Sequence, residues 1–349
     1  MIRPKHDILN TVSAHHGAFD YAELNQLGLS PDEIIDFSVN SNPYGPPPGV
    51  REAITSVPLD RYPDRECLAL RHKLAELHKV GVENIVVGNG TAELLQLLAF
   101  AFLEREASAL MPKVTFSEYA RVVSLTGATI NDWDLAGEGV QTTPENVRLA
   151  FLCNPNNPDG SWIPLQAIQN WAQFHPQTLL AVDEAYSNFM HVPQTVIGLA
   201  SESILSIRSL TKDYALAGLR LGYVVGQPEI IEAIRRVRPA WNVNALAQAA
   251  GIAVLNSHNW LNETMAQLYE NKANLIMGLQ ELGLNPLPSA THYFLVNVDD
   301  GQSFRSQLLT HKVMVRDCAS FGLPEHARIA TRTPEDNARL LNAVERVLA

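Results

Sequence analysis

The sequence predicts an α/β protein. A large unit is built on an open, mostly parallel seven-stranded sheet flanked by helices, and a smaller α/β unit follows it. Three observations carry this expectation. Six short runs between residues 84 and 226 are nearly all apolar throughout rather than alternating, as strands covered on both faces are. Helical patterns separate several of these runs. The chain has 349 residues, 46% hydrophobic and 18% charged, which suits two or three domains with sizeable cores.

Taken in order, the first ~60 residues are broken by Asn42-Pro43, Gly45, Pro46-Pro47-Pro48 and Tyr62-Pro63, and read as an arm and loops. The strand runs are 85–87, 108–111, 149–152, 179–182, 204–207 and 223–225, with 128–130 a weaker seventh. Segments 92–103, 118–125 and 165–174 are helical in pattern. A long helical stretch, 245–282, places Met265, Leu268, Lys272, Leu275 and Leu279 at three- and four-residue spacing, which marks one buried face. Strand runs at 293–296 and 312–315 follow, then a last helix over 334–348. Thr333 supplies its capping hydroxyl, Pro334 its first residue and Glu335-Asp336 the acids of its first turn. The expected division is an N-terminal arm (1–40), a large domain (41–255) and a small C-terminal domain (256–349).

Composition excludes several function classes. Lys+Arg 26 against Asp+Glu 37 leaves a net charge of −11, which disfavours nucleic acid and anionic membrane surfaces as partners. The most apolar stretch, 94–103, is about half the length of a membrane span, and no apolar run follows Arg3 and Lys5 to make a signal peptide. Cys67, Cys153 and Cys318 form no CxxC pair, so reduced thiols and a cytoplasmic location are expected. The eleven histidines show no HxxxH or HExxH spacing, and no metal site is expected.

Ligands of such sheets bind beyond the carboxyl ends of the strands, so the residues following each run matter most. After 85–87 comes Gly88-Asn89-Gly90-Thr91, a glycine turn into a helix; it suits a phosphate, although such turns also serve only to redirect the chain. After 149–152 comes Cys153-Asn154-Pro155-Asn156-Asn157-Pro158-Asp159-Gly160, a rigid loop presenting amides or simply a structural turn. After 179–182 comes Asp183-Glu184-Ala185-Tyr186, with a carboxylate that is expensive to bury unpaired. After 204–207 come Arg208-Ser209-Leu210-Thr211-Lys212 and then Gly218-Leu219-Arg220-Leu221-Gly222. Together these features suit a ligand with a phosphate, a ring wanting an acid partner, and an electrophile for a lysine.

With these motifs in this order, the chain resembles the fold-type I pyridoxal-phosphate enzymes, the aminotransferase class I/II superfamily, over almost its whole length. The resemblance implies that Lys212 bonds covalently to the cofactor aldehyde and later carries the proton. Asp183 would pair with the pyridinium nitrogen. Asn157 and Tyr186 would hydrogen-bond the ring hydroxylate, and Phe116 would stack on the ring. Ser209, Thr211, Arg220 and the backbone of Gly90 and Thr91 would hold the phosphate. Tyr62 would reach the cofactor phosphate of a neighbouring subunit, implying a homodimer with shared sites. Arg332 would grip the substrate carboxylate, and the chain end would meet the N-terminal arm. One departure stands out: the family's Asn-Pro-Thr-Gly is here Asn157-Pro158-Asp159-Gly160.

Two branches fit. Asn42-Pro43-Tyr44-Gly45, Arg61-Tyr62-Pro63-Asp64 and Phe321-Gly322-Leu323-Pro324 resemble histidinol-phosphate aminotransferases. His16-Gly17, Leu29-Ser30-Pro31 leading to Asp36-Phe37-Ser38, Ser209–Lys212 with Tyr214, 241–247 and Val315-Arg316-Asp317-Cys318 resemble threonine-phosphate decarboxylases of cobalamin biosynthesis. The second set is larger, so the expected enzyme is a decarboxylase of a small phosphorylated amino compound; the alternative is a transaminase delivering the amino group to 2-oxoglutarate. His16, Asn157, Arg316 and Arg332 would line the substrate site, His16 and Arg316 near the substrate phosphate; otherwise His16 anchors the arm and Arg316 makes a surface salt bridge. A non-catalytic ligand sensor is disfavoured by Lys212 and by the lack of a DNA-binding module. The expectation is a positive pocket, lined by Lys212, Arg220, Arg316 and Arg332, in a negative protein.

Overall fold

The computed structural model describes residues 2–3, 8–9, 11, 14, 16–133, 146–199 and 201–349. Its first strand, β1 (Ile35–Asp36), lies at the end of the arm. The large sheet contains β2 (Ile85–Gly88), β3 (Ser108–Met111), β4 (Thr129–Asp132), β5 (Val147–Cys153), β6 (Leu179–Asp183), β7 (Ile204–Ser209) and β8 (Gly222–Val225). Their spatial order is β2-β8-β7-β6-β5-β3-β4. The pairs from β7 through β4 are parallel, and β8 runs antiparallel to both its neighbours.

All seven expected strands are present. Every residue of β2, β3, β6 and β8 is buried, which is why those runs carry no alternation. β4 reads weakly because it is an edge strand that, unlike β2 at the other edge, is largely exposed. Helices cover both faces. Gly90–Phe102 and Glu118–Thr126 pack with the core that holds Val87, Leu94, Tyr119, Phe151 and Ile207. Leu165–Phe174 packs by Ile168, Trp171 and Ala172 against Leu152, Leu180 and Val182 on the other face.

The single helical stretch expected over 245–282 is two helices, Ala245–Val254 and His258–Glu281. The break falls at Asn256-Ser257, whose backbone N–H groups turn back to Ala253 and Val254. Asn and Ser side chains compete for backbone partners and so favour such breaks. The first of the two helices starts at Asn244, whose side chain accepts from Ala247 N at 2.8 Å.

The C-terminal region builds a second core. β9 (Tyr293–Asn297), β10 (Val313–Met314), β11 (Arg316–Asp317) and β12 (His326–Ala330) follow in sequence. β12 lies between β11 and β9 in an antiparallel three-stranded sheet, whereas β10 pairs in parallel with β1. The run expected at 312–315 is therefore divided: the chain changes partners at Val315. Ile35 and Phe37 of the arm share this core with Leu275, Phe294, Val313, Ile329 and Leu340. Thr333 caps the last helix, Pro334–Leu348, through Asp336 N. Among the described residues, no helix is long and apolar enough to cross a membrane, and no His/Cys/Asp/Glu cluster could hold a metal.

Candidate active site

Strand register assembles one end of the site. Gly222, the first residue of β8, pairs with both Gly88 at the end of β2 and Ser209 at the end of β7. The chain leaving β2, the chain leaving β7 and the chain entering β8 thus meet at one point. Gly90 opens the helix Gly90–Phe102 with φ 78°, and a Cβ there would lie 2.8 Å from Arg220 Nη2. The Arg220 guanidinium rests where only glycine leaves room for it, and Arg220 itself takes a left-handed φ of 55°. A Cβ on Gly222 would come within 3.0 Å of Thr91 N, so β8 and the helix start are in close approach. The Ser209 and Thr211 hydroxyls are 2.7 Å apart, both buried. A helix start, two hydroxyls and a guanidinium on one spot form an oxyanion cradle. Glu93 closes its outer side by accepting from Asn89 N and Asn242 Nδ2.

Asp183 ends β6, opposite Cys153 of β5 and Ile207 of β7. Burial pushes its carboxyl up to about 6, against hydrogen bonds from Tyr119 Oη (2.9 Å) and Ala185 N (3.1 Å). Tyr119 is itself fixed, stacked on Phe151 with centroids 5.0 Å apart and meeting Phe116 edge-on at 5.6 Å. Lys212 follows β7. Burial lowers its amine to about 8, reinforced by the positive charges of Arg328 and Arg220 and opposed by Asp36 and Asp183. Asn42 N donates to Lys212 O at 2.8 Å, and Asn42 Nδ2 to Asp213 O at 3.0 Å, so the lysine's backbone is clamped. Tyr186 is buried edge-on to Tyr293 at 4.9 Å, and burial raises its phenol.

On the substrate side the structure corrects one expectation. Arg332 does not enter the site: its Nε pairs with Asp336 at 2.8 Å, Nη1 donates to Asp36 O at 3.2 Å, and the guanidinium lies over the Phe37 ring. Arg328, four residues earlier, lies beside Asn157 instead. It is buried over the Tyr293 ring and donates to Asn157 Oδ1 and Ser38 O, while its Nε has no partner among the described residues. β12 ends at Ala330, so the alternation that turns Ile329 into the second core turns Arg328 away from it, and Arg332 lies beyond the strand. Arg316 sits directly opposite Arg328 across β11 and β12, buried, with Nη2 donating to Ser320 Oγ at 2.7 Å.

His16 bonds Glu118 Oε1 through Nε2 at 2.9 Å and leans on Phe116 at 5.6 Å; Glu118 also binds Arg121 at 2.7 Å. It thus fastens the arm beside the ring-stacking position. Tyr62 is 82% exposed and touches Trp241, centroids 4.9 Å apart. Asp159 leaves its loop intact: Oδ1 accepts from Asn156 Nδ2 and from Ser161 N and Oγ at 2.9 to 3.1 Å, closing the turn on itself.

The residues fit pyridoxal phosphate. The cradle at Gly90, Ser209, Thr211 and Arg220 would take the phosphate, Asp183 the ring nitrogen and Lys212 the aldehyde. Because Asn157 Oδ1 faces Arg328, its Nδ2 is left to donate to the ring oxygen. Sequence reasoning missed Tyr119, although it stands in the quoted Phe116-Ser117-Glu118-Tyr119. It also missed Arg328, which alternation along 326–330 could have revealed.

Comparisons with known proteins agree. The model of the family "aminotransferase class I and II" matches residues 32–344. The chain is 33% identical to histidinol-phosphate aminotransferase of Symbiobacterium thermophilum over 337 residues, covering 93% of this chain and 92% of that protein. It is also 33% identical to histidinol-phosphate aminotransferase 1 of Nitrosococcus oceani, over 90% of this chain and 89% of that one. The crystal structure of histidinol-phosphate aminotransferase from Sinorhizobium meliloti in complex with pyridoxal-5'-phosphate superposes over 100% of this chain and 99% of its own, with a TM-score of 0.88 at 26% identity. L-threonine-O-3-phosphate decarboxylase from Porphyromonas gingivalis shares the fold, with a TM-score of 0.82 at 24% identity over 89% of this chain and 98% of its own. With its aspartate aminotransferase-like fold and a site shaped for pyridoxal phosphate, the chain belongs to the class I and II aminotransferases, a pyridoxal-phosphate-dependent enzyme family.

Proposed function

We propose that the chain is a transaminase of the histidinol-phosphate type, exchanging an amino group between a small phosphorylated amino compound and 2-oxoglutarate. The sequence motifs lean to decarboxylation; the 33% identity to histidinol-phosphate aminotransferases over nine-tenths of the chain supports the transaminase instead. The observation that carries a phosphorylated substrate is the Arg316–Arg328 pair. Like charges directly opposite on neighbouring strands repel; burial, and then Arg328, hold the Arg316 guanidinium below its ordinary value, against the Asp317 carboxylate 3.6 Å away. A substrate phosphate or carboxylate between them removes that repulsion and accepts from planar forks.

The chemistry then divides among the residues. Pyridoxal phosphate, when bound, supplies an aldehyde for amines and a ring that takes up electrons from the substrate Cα. Asp183 holds positive charge at the ring nitrogen. Lys212 Nζ, poised near neutrality, takes and returns the proton at Cα. Arg328, reaching Asn157, orients the substrate relative to the ring, so that the bond to hydrogen is the one placed to break. In the same proposal, residues 1–40, 41–255 and 256–349 form the arm, large domain and small domain, and a second copy of the chain covers the exposed Tyr62–Trp241 face.

The test supplies the cofactor-loaded protein with histidinol phosphate and 2-oxoglutarate, and separately with threonine phosphate. Glutamate formation in the first mixture is expected. Carbon dioxide from the second without a keto acid would replace the transaminase reading with the decarboxylase one.

A further inference from the structure

A second concentration of positive charge lines a cleft of about 350 Å³ at the end of the helix Pro228–Val237. Arg65, Arg235, Arg236 and Arg238 face two carboxylates there, Glu66 and Glu232. Glu66 is heavily shared: Oε2 accepts from Arg235 Nη2 at 2.8 Å and Arg238 Nη2 at 3.1 Å and lies 3.9 Å from Arg71 Nη1, while Oε1 is 3.4 Å from Arg65 Nε. Glu232 serves Arg235 and Arg236 at 3.4 Å each. Four lining guanidiniums against two carboxylates leave two positive charges in excess.

A helix C-terminus attracts cations, which accounts for Arg235 and Arg236. It does not account for Arg65, or for Arg238, whose side chain is only 5% exposed while its Nε–H has no partner among the described residues. A buried donor left unpaired is costly. Arg71, behind the cleft, has its guanidinium held below the ordinary value by burial and then by Arg235. Crowded guanidiniums, an unpartnered buried N–H and an excess of two charges describe a site suited to an oxyanion.

We propose that this cleft binds a phosphate group, as inorganic phosphate or as a small phosphomonoester. Planar forks match phosphate oxygens in pairs, and a phosphate dianion equals the excess charge. The site shares no residue with the catalytic one. It does adjoin the exposed aromatic face in the chain: Tyr62 lies three residues before Arg65, and Trp241 three after Arg238. Occupancy would therefore stiffen the segments that carry Tyr62 and Trp241.

Calorimetric titration of the pyridoxal-phosphate-saturated protein with inorganic phosphate, at ionic strength held constant with sodium chloride, tests this. Arg235→Gln/Arg236→Gln, on side chains with solvent access, is expected to weaken one phosphate site at least tenfold with turnover unchanged. Arg316→Gln, in the substrate site, is expected to leave that same site in place. Phosphoethanolamine is the second probe: tighter binding than inorganic phosphate assigns a phosphomonoester, equal binding assigns free phosphate. Phosphate binding that survives in Arg235→Gln/Arg236→Gln and vanishes in Arg316→Gln overturns the proposal, as does a signal that sodium chloride alone reproduces. A protein that turns over no phosphorylated amino compound, yet loses phosphate affinity in Arg235→Gln/Arg236→Gln, keeps the cleft and loses the transaminase reading.

Discussion

Tyr119 donates its phenol proton to Asp183 Oδ2 at 2.9 Å, from a ring locked by stacking on Phe151. Burial raises the Asp183 carboxyl to about 6, and this hydrogen bond is the largest influence opposing that rise. The pair explains how a carboxylate at the end of an all-apolar strand keeps the ionised character that the proposed partnership with a pyridinium nitrogen requires. Tyr119→Phe removes a bond to a charged acceptor, worth about 1.5–3 kcal/mol. Pyridoxal phosphate is expected to bind about 10- to 100-fold more weakly, read by fluorescence titration. Cofactor affinity in the unmodified chain should fall as pH drops through about 6, where Asp183 takes up a proton, and the midpoint should move to higher pH in the variant. An unmoved midpoint would separate Tyr119 from Asp183.

Arg328 and Arg332 should behave oppositely. Arg332→Gln loses an ion pair to Asp336 in the first turn of the last helix and a contact to Asp36 O of β1. It should cost about 1 kcal/mol, a melting shift of about 1–2 °C, with kcat/KM within about threefold. Arg328→Gln leaves the fold's strands paired but removes the buried guanidinium, and kcat/KM is expected to fall about 10²- to 10³-fold. Steady-state kinetics beside thermal melts read both. A larger kinetic loss for Arg332→Gln would restore the sequence-based assignment.

Lys212 carries a pH signature. Its amine is lowered to about 8, so in the apoprotein the neutral, nucleophilic form grows as pH rises through about 8. The rate at which the apoprotein recaptures pyridoxal phosphate should follow that rise. After burial itself, the positive charge of Arg328 is the largest influence holding the amine down, so Arg328→Gln should move the midpoint upward. Stopped-flow absorbance across pH 6–10 measures it, and a midpoint unchanged in the variant would remove Arg328 from the lysine's surroundings.

Gly90→Ala tests the phosphate cradle. The new Cβ would sit 2.8 Å from Arg220 Nη2 on a backbone at φ 78°. Cofactor affinity should drop at least about tenfold as Arg220 is displaced. Gly28→Ala is the control: its φ is 68°, but nothing lies within 4 Å of the added Cβ. That variant should pay only the backbone strain, about 1 kcal/mol, and bind the cofactor normally. Equal cofactor loss in both would make the effect one of general stability.

Much of the protein was legible along the chain. Two-sided burial makes a strand apolar throughout, so the seven strands, their mostly parallel order and the candidate residues at their carboxyl ends could be read from local pattern. The motifs around Asp183, Ser209–Lys212 and Arg220 are local too, and named the cofactor. The break at Asn256-Ser257 and the division of 312–315 between two sheets were not legible, because each depends on partners distant in sequence.

The sequence by itself determined the fold and the cofactor, and it nominated the lysine to bond to it, because each rests on residues a few positions apart. Only the tertiary structure set Arg328 rather than Arg332 beside Asn157, joined Tyr119 to Asp183 across 64 positions, and set Arg316 against Arg328. Those choices turn on where β12 ends, which flank a helix covers and which strands become neighbours. Such relations are settled when two cores pack together, and no local pattern records them.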